Sequence, residues 1–179
     1  MIFRRVFIAL SIVLAIILVI PHVYLLLPRE KVTAEQRQAL VKLAGKALKS
    51  EDVPVSALVL YNGEIIGEGY NTVKKNNDPS GHAEINAIKD AMQQKSFAEF
   101  MALDRSRLSL ITTFEPCKMC KGAILNYKIK KVQICEPKGF GYLFGELIGL
   151  ETYELTKRLT GEDNLQDSLF QQHSGYPNQ

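Results

Sequence analysis

Two separated segments most strongly constrain how this chain can fold: His82-Ala83-Glu84 and, well downstream, Pro116-Cys117-Lys118-Met119-Cys120. One imidazole and two thiolates form a donor set that suits zinc, and three protein ligands leave the fourth tetrahedral position open for water. Glu84 adds a carboxylate that need not touch the metal and can carry protons beside that water. The fold must therefore bring these two segments together.

The residues alone leave three interpretations of this cluster open. A lone Cys-x-x-Cys is common as a redox pair or as half of a structural zinc site. Such a structural site needs a fourth ligand, which Cys135 can supply, although we expect Cys135 to be a buried free thiol at the end of an apolar strand. A catalytic zinc site needs three ligands. A chain without any metal there is the third interpretation, and the adjacent carboxylate favours the catalytic one.

Both segments are predicted to lie at helix N-termini. Pro116 suits the first helical position, where its missing N–H costs nothing, and Cys117 and Cys120 then lie on one face of the first turn. The partial positive charge of a helix N-terminus lowers the pKa of a thiol, so we expect both cysteines to be ready as thiolates. His82 and Glu84 point about 200° apart within a regular helix. They can both turn toward one ion if His82 occupies the half-helical start.

Residues 6–28 contain no Asp, Glu, Lys or Arg. As a helix they span about 35 Å, enough to cross a hydrocarbon core of about 30 Å. A cleavable signal peptide is disfavoured because Pro21 to Leu27 offers no small-residue cleavage site, and a buried core helix because the run is apolar on every face. We therefore predict a single-pass membrane anchor over 6–28, a folded domain over 30–160 and a polar tail over 161–179.

The flanking charges leave open which side of the membrane the domain faces. Arg4 and Arg5 favour a cytoplasmic N-terminus, which places the domain outside, whereas a second group of cations follows the run from Arg29 onward. Three cysteines do not make a disulfide framework. Thiolate ligands persist better in a reducing compartment, which favours the cytoplasm.

Charge balance argues against a broad nucleic-acid-binding face. Three of the 22 Lys and Arg residues flank the apolar run, and the remaining 19 balance the 19 Asp and Glu residues. A local basic run is nevertheless present, and it is typical either of a solvated helix face or of a phosphate or RNA patch. Its members are Lys118, Lys121, Lys128, Lys130, Lys131 and Lys138.

Hydrophobic periodicity predicts strands that alternate with helices, which is typical of an α/β layer fold. Thr33 and Gln36 form a capping-box pattern, and Asn62-Gly63 is a strong hairpin signal between two strands. Residues 96–107 are a short helix or a loop. The predicted helices are 34–49, one that opens at His82, 117–127 and about 150–160; the predicted strands are 53–61, 64–70, 108–113 and 131–135.

At four stretches the chain resembles the cytidine deaminase-like superfamily, particularly its branch of bacterial tRNA adenosine deaminases and guanine deaminases. The resemblance runs from Val53 to Cys135. The stretches that carry it are Val53-Pro54-Val55-Ser56-Ala57, Gly67-Glu68-Gly69-Tyr70-Asn71, His82-Ala83-Glu84-Ile85-Asn86-Ala87-Ile88 and Glu115-Pro116-Cys117-Lys118-Met119-Cys120-Lys121-Gly122-Ala123-Ile124.

The resemblance implies a three-layer sandwich, with a central mixed sheet of about five strands flanked by helices. It implies one zinc ion per chain, held by His82, Cys117 and Cys120, with Glu84 as proton shuttle. It also implies that the Asn71 side chain hydrogen-bonds a base, that backbone groups at Ala83 contact the ring, and that the chain forms a homodimer. From the residues alone, Asn71 is equally typical of a turn after a strand.

The activity that the resemblance implies is hydrolytic deamination of a nucleobase, nucleoside or nucleotide, with ammonia released. Deamination of adenosine to inosine in a tRNA is one alternative, and a non-catalytic zinc-folded interaction module at the membrane is an alternative of another class. The stretch 139–145 does not match the ending of the tRNA enzymes. Its alternating aromatics suit core packing as well as a stacking wall for a base: Phe140, Tyr142 and Phe144.

Overall fold

The computed structural model of the chain describes residues 31–138. The expected anchor over 6–28, the helix over 150–160 and the polar tail over 161–179 lie outside these residues. No helix within the described range is long and apolar enough to cross a membrane. The elements are α1 (Ala34–Lys49), β1 (Ser56–Tyr61), β2 (Glu64–Tyr70), α2 (Val73–Asn76), α3 (Ala83–Lys95), α4 (Phe97–Ala102), β3 (Leu108–Phe114), α5 (Lys118–Asn126) and β4 (Lys131–Glu136).

The strands form one mixed sheet in the order β2-β1-β3-β4. β1 pairs antiparallel with both β2 and β3, whereas β3 and β4 are parallel. Parallel neighbours require a crossover, which α5 provides between them. The family resemblance implies a sheet of about five strands. The described residues, 31–138, contain four strands.

Helices cover both faces of β1, as its continuous apolar run predicts. Ala57 and Val59 point into the core under α3 and α5, while Leu58 and Leu60 point into the core under α1. Successive side chains of a strand face opposite sides of a sheet, so a strand buried on both faces needs apolar residues throughout. The described part is therefore a three-layer α/β/α arrangement.

Two local sequence signals determine where α1 begins and where β1 turns back into β2. The Thr33 hydroxyl accepts from the Gln36 N–H, and the Gln36 side chain accepts from the Thr33 N–H, which confirms the capping box at the start of α1. Asn62 and Gly63 have φ of 55° and 86°, as a two-residue hairpin turn of the primed type requires. Both features were predicted from the sequence.

Close backbone packing fixes α3 against β2. A Cβ atom at Gly69 would overlap the Ala83 carbonyl oxygen and the Ala87 amide nitrogen, and one at Gly67 would overlap the Ala87 carbonyl and Ala91. Two glycines on one face of the strand thus meet alanines spaced four apart on the helix. We call these five residues the glycine–alanine seam, and it determines where the N-terminus of α3 lies.

Several expectations need correction. α5 begins at Lys118, with Cys117 as its N-cap in extended conformation (φ −74°, ψ 173°), so Pro116 precedes the cap rather than occupying the first helical position. Cys135 is exposed rather than buried, because β4 is the last strand of the described sheet. The stretch 71–81, between the predicted strand 64–70 and the helix that opens at His82, contains the short helix α2, and the ambiguous stretch 96–107 contains α4.

Candidate metal centre and active site

Three donor atoms converge at the N-termini of α3 and α5. The His82 Nδ1 atom lies 3.5 Å from the Cys117 Sγ and 3.5 Å from the Cys120 Sγ, and the two sulfurs are 3.7 Å apart. A tetrahedral zinc ion with bonds of about 2.3 Å to sulfur and about 2.0 Å to nitrogen needs separations of about 3.5 Å for S···N and about 3.8 Å for S···S. The donor set and its spacing therefore fit zinc.

The group of mutually close donors contains three residues within the described range. His82, Cys117 and Cys120 belong to it, whereas Glu84 and Cys135 do not. A structural zinc site of four protein ligands is thus not assembled from residues 31–138. The arrangement matches the three-ligand type, in which one coordination position is left to solvent or substrate.

His82 reaches the group because it is the N-cap of α3, with an extended backbone (φ −76°, ψ 150°). This confirms the condition under which His82 and Glu84 can both face the same point. The helix itself starts one residue later, so Glu84 lies in its first turn. The N-termini of α3 and α5 therefore lie together, as the sequence predicts.

Glu84 is buried, with 4% of its surface exposed, and its Oε2 atom lies 3.4 Å from the Cys120 Sγ. No ion pair with Lys or Arg involves it within residues 31–138. The Cys120 thiol is a weak hydrogen-bond donor, so it offsets only part of the cost of burying this carboxylate. A divalent cation at the donor group would compensate this charge.

Burial raises the pKa of the Cys120 thiol, and the nearby Glu84 carboxylate and Cys117 raise this pKa further. From the sequence, the helix N-terminus is expected to lower the pKa of both cysteines. For Cys120 this expectation is wrong, because desolvation and the neighbouring Glu84 and Cys117 outweigh the helix dipole. Metal binding at this site is therefore coupled to release of the thiol proton.

A cavity of about 390 Å³ opens beside the donor group. Its volume lies in the range of small-molecule sites, and apolar side chains form part of its walls. The predicted site residues that line it are Asn71, His82, Ala83, Glu84 and Cys117. The apolar wall residues are Val53, Val55, Val73 and Phe114.

The two residues expected to contact substrate both line this cavity. The Asn71 Oδ1 atom accepts a hydrogen bond from the Val73 N–H at 3.1 Å, and its Nδ2 atom has no acceptor within the described residues. The turn interpretation of Asn71 is thus confirmed, while its contact with a base stays a prediction. Ala83 is the first residue of α3, where backbone N–H groups have no intrahelical partner.

Sequence reasoning missed three residues that shape the cavity. Asn86 donates from Nδ2 to the Tyr70 carbonyl and the Thr72 hydroxyl, both at 2.9 Å, which ties the loop after β2 to α3. Phe114 lines the cavity at the end of β3. Asp52 is buried and also lines it. No local pattern in the sequence marks Asn86, because the first turn of α3 also contains Glu84.

Four lysines of the basic run are exposed, as a solvated face predicts, whereas Lys121 is half-buried and Lys138 is buried; the exposed ones are Lys118, Lys128, Lys130 and Lys131. The Lys121 Nζ atom lies 3.0 Å from the Glu115 Oε1 atom, and the Lys138 N–H donates to the Glu115 Oε2 atom at 3.0 Å. Lys138 is 7% exposed, and its Nζ atom lies 6.0 Å from the Phe114 ring centre. These two lysines stabilise the segment beside the cavity, and an RNA patch stays untested.

Comparisons with known proteins agree with this geometry. Among curated proteins, the chain is 35% identical over 92 residues to the tRNA-specific adenosine deaminase of Buchnera aphidicola subsp. Schizaphis graminum, covering 51% of this chain and 58% of that protein. It is 36% identical over 89 residues to the tRNA-specific adenosine deaminase of Aquifex aeolicus, covering 50% and 56%. The chain thus spans just over half the length of these two relatives.

A larger relative and a solved structure extend the comparison. The chloroplastic tRNA(adenine(34)) deaminase of Arabidopsis thaliana is 39% identical over 93 residues, which are 52% of this chain and 7% of that protein. The structure of guanine deaminase from Bacillus subtilis is similar with a TM-score of 0.59 and 26% identity, covering 82% of this chain and 99% of that one.

The family match spans nearly all of the described residues. The model described as "Cytidine and deoxycytidylate deaminase zinc-binding region" matches residues 32–136, which include His82, Glu84, Cys117 and Cys120. More than half of the sequence is covered, and the three donor atoms have the spacing that zinc requires. The chain therefore belongs to the cytidine and deoxycytidylate deaminase zinc-binding family.

Proposed function

We propose that this chain is a zinc-dependent hydrolytic deaminase that replaces the amine of a nucleobase, nucleoside or nucleotide with oxygen and releases ammonia. The observation that carries the proposal is the buried Glu84 carboxylate, which lines a cavity of about 390 Å³ beside a three-donor group that fits zinc. A purely structural zinc site has four protein ligands and no use for a free carboxylate.

Glu84 moves the protons in this reaction. His82, Cys117 and Cys120 would hold a zinc ion, which would supply a Lewis acid for activating water. The Glu84 carboxylate accepts a proton from the attacking water and delivers it to a ring nitrogen of the substrate. It then takes the proton of the newly added hydroxyl and passes it to the amine, which leaves as ammonia, the role that a carboxylate of this motif has in zinc deaminases. Its position in the first turn of α3 is fixed by the glycine–alanine seam, so the carboxylate does not have to be ordered during the reaction.

Substrate contacts follow from what lines the cavity. The Nδ2 group of Asn71 is a free donor that can bind a carbonyl oxygen or ring nitrogen of a base. The N–H of Ala83 offers a second donor close to Glu84. Phe114 and the valines pack against the flat faces of a ring, because an aromatic base is apolar on its faces and polar at its edge.

Metal analysis and an ammonia assay test the proposal together. We expect about one zinc per chain and ammonia release from at least one of guanine, cytosine, adenine and their nucleosides. Guanine is the first substrate to test, because the similarity to the Bacillus subtilis guanine deaminase extends over 99% of that protein. Glu84→Gln should keep the zinc and lower kcat by about 10²- to 10⁴-fold. Full activity in Glu84→Gln would show that the catalytic assignment is wrong.

Deamination of adenosine to inosine in tRNA is the second candidate, since the curated relatives quoted above are tRNA deaminases. RNA binding predicts that the affinity for tRNA falls steeply with salt, because each neutralised phosphate releases counterions. A gel shift with tRNA at two salt concentrations separates this candidate from a free-base deaminase. A zinc-loaded protein that releases ammonia from no base, nucleoside or tRNA would instead be the non-catalytic module.

We also propose that residues 6–28 anchor the chain in a membrane, with the side of the domain left to experiment. The uncharged run over 6–28 supports this. The full chain should sediment with membranes and resist salt extraction, whereas residues 30–179 should stay in the supernatant.

A homodimer of residues 30–179 is the expected assembly, and sedimentation velocity measures it. A monomer at all concentrations would contradict that part.

A further inference from the structure

Two side chains from different segments cap the same short helix. The first N–H group of α2, that of Val73, donates to the Asn71 Oδ1 atom at 3.1 Å. The next two, those of Lys74 and Lys75, donate to the Asp52 Oδ1 and Oδ2 atoms at 2.6 and 3.2 Å. Thr72, the N-cap residue itself, makes no side-chain capping bond. Asp52 therefore replaces the N-cap side chain from a distant part of the chain.

Protein donors occupy the Asp52 carboxylate. Besides the two α2 amides, the Ser50 hydroxyl donates to the Oδ2 atom at 2.7 Å, and Asp52 is 6% exposed. The backbone N–H of Asp52 donates to the Ala47 carbonyl at the end of α1, at 2.9 Å. The residue is thus fixed to α1 on one side and holds α2 on the other. A carboxylate used in this way orders its surroundings rather than reacting.

The position of α2 determines how Asn71 faces the cavity. An amide group has one oxygen and one NH₂, and the Val73 N–H holds the Asn71 oxygen. The NH₂ is thereby left for substrate. If α2 moves, the Val73 N–H moves with it, and the Asn71 amide loses the bond that fixes its rotation.

We propose that Asp52 is a positioning residue for the substrate, because its carboxylate anchors α2 and so fixes the orientation in which Asn71 presents its amide to the cavity. This inference rests on the proposed function, in which Asn71 binds the base. It adds a residue that acts on substrate affinity through another side chain and does not itself contact the reacting atoms.

Asp52→Asn is the test, since it keeps the shape but replaces one acceptor oxygen with an NH₂ and removes the charge. With guanine or whichever base the wild type deaminates, we expect KM to rise about tenfold, kcat to change less than about threefold, and zinc content to stay the same. Asp104→Asn is the matched control. Asp104 likewise accepts from a serine N–H and hydroxyl, at 2.9 and 2.7 Å, but does not line the cavity. Its KM should equal that of the wild type.

A double-mutant cycle with Asn71→Ala separates positioning from a general loss of stability. If Asp52 acts through Asn71, adding Asp52→Asn to Asn71→Ala should change KM by less than about twofold, because the coupled effect is already lost. Fully multiplicative effects on KM would overturn the proposal. If Asp52→Asn does not fold, Ser50→Ala removes one donor to the same carboxylate and should raise KM about two- to threefold. An unchanged KM in Ser50→Ala would then overturn it.

Amide hydrogen exchange tests the anchor without any assay of activity. In Asp52→Asn the Lys74 and Lys75 amides should exchange at least about tenfold faster than in wild type, and in Asp104→Asn they should not change. Unchanged exchange at these two amides would overturn the proposal even if the enzyme is active. A zinc-loaded wild type without ammonia release would instead refute the proposed function, and faster exchange would still support the anchor.

Discussion

The two sides of the cavity are held by different forces. On the catalytic side, α3 lies on β2 with backbone against backbone, through the glycine–alanine seam. On the substrate side, the loop over 71–81 is held by polar side chains, mainly Asp52 and Asn86. Close packing fixes a position with little freedom, whereas hydrogen bonds to a loop can be broken one at a time. The proton carrier should therefore be rigid and the substrate loop adjustable.

Metal removal should give the largest effect, since the donor group links α3 to α5 on the rigid side. At a free zinc concentration about 1,000 times the dissociation constant, binding contributes about 4 kcal/mol to the free energy of unfolding. A chelator should remove that stabilisation, seen as a lower Tm, and speed amide exchange in α5 more than in the loop. An equal increase of amide exchange in α5 and in the loop over 71–81 would contradict the distinction between the two sides.

Two cysteine substitutions, one at a zinc ligand and one outside the donor group, serve as controls for the chelator experiment. Cys117→Ser should lose zinc and show most of the stability loss. Cys135→Ser should keep about one zinc and the wild-type Tm, because Cys135 is exposed and outside the donor group. Loss of zinc in Cys135→Ser would mean that this thiol is a ligand after all.

Gly69→Ala tests the seam directly. The added Cβ overlaps backbone atoms of Ala83 and Ala87, which cannot move away as a flexible side chain would. Overpacking of this kind costs about 1–3 kcal/mol or more, and we expect a value at the upper end, measured by denaturant unfolding. Gly45→Ala is the matched control, since no atom lies within 4 Å of its added Cβ in α1. Its unfolding free energy should rise by about 0.5–1 kcal/mol because alanine favours a helix.

Local patterns predicted much of this fold from the sequence. The capping box at Thr33, the Asn62-Gly63 turn and the apolar run of β1 each act within a few residues, so their geometry follows from nearby chemistry. The three zinc donors were predicted from motif and helix-start chemistry, and the structure brings them together. The seam was also detectable, as two glycines spaced by two in a strand and alanines spaced by four in a helix.

The features that could not be predicted from the sequence depend on contacts between distant segments of the chain. Asp52 caps a helix more than twenty residues away in the chain, and no local pattern pairs the two. The pKa of Cys120 is raised because Glu84 lies beside it, a neighbour from another segment. The exposure of Cys135 follows from its place on the last strand of the described sheet, which depends on strand order rather than on the apolar residues around it.

Asn86→Ala should weaken the substrate side while leaving the catalytic side intact. It removes the donor to the Tyr70 carbonyl and one of the two donors to the Thr72 hydroxyl, which keeps the Asn76 amide, and losing hydrogen bonds of this kind costs about 0.5–1.5 kcal/mol each. We expect a lower Tm and a KM raised by about tenfold, with kcat and zinc content close to wild type. Gln94→Ala is the control in the same helix, because Gln94 is exposed and its side chain donates to Asp90, and neither residue lines the cavity. A drop in kcat as large as the rise in KM would show that the two sides are not independent.

The smallest expected effect is the pH dependence of the Asp52 anchor. Although burial raises the pKa of Asp52, hydrogen bonds from the Ser50 hydroxyl and the Lys74 and Lys75 amides together hold this pKa below its ordinary value of 3.8. A carboxyl whose pKa is lower in the folded state stabilises the protein above its unfolded pKa and loses that contribution as the pH falls through the folded value. The difference in unfolding free energy between wild type and Asp52→Asn should therefore be constant above about pH 5 and shrink below about pH 4. Loss of zinc at low pH affects both proteins and largely cancels in this difference. A difference that stays constant down to about pH 2 would mean that the loop is held by the shape of residue 52 and not by its charge.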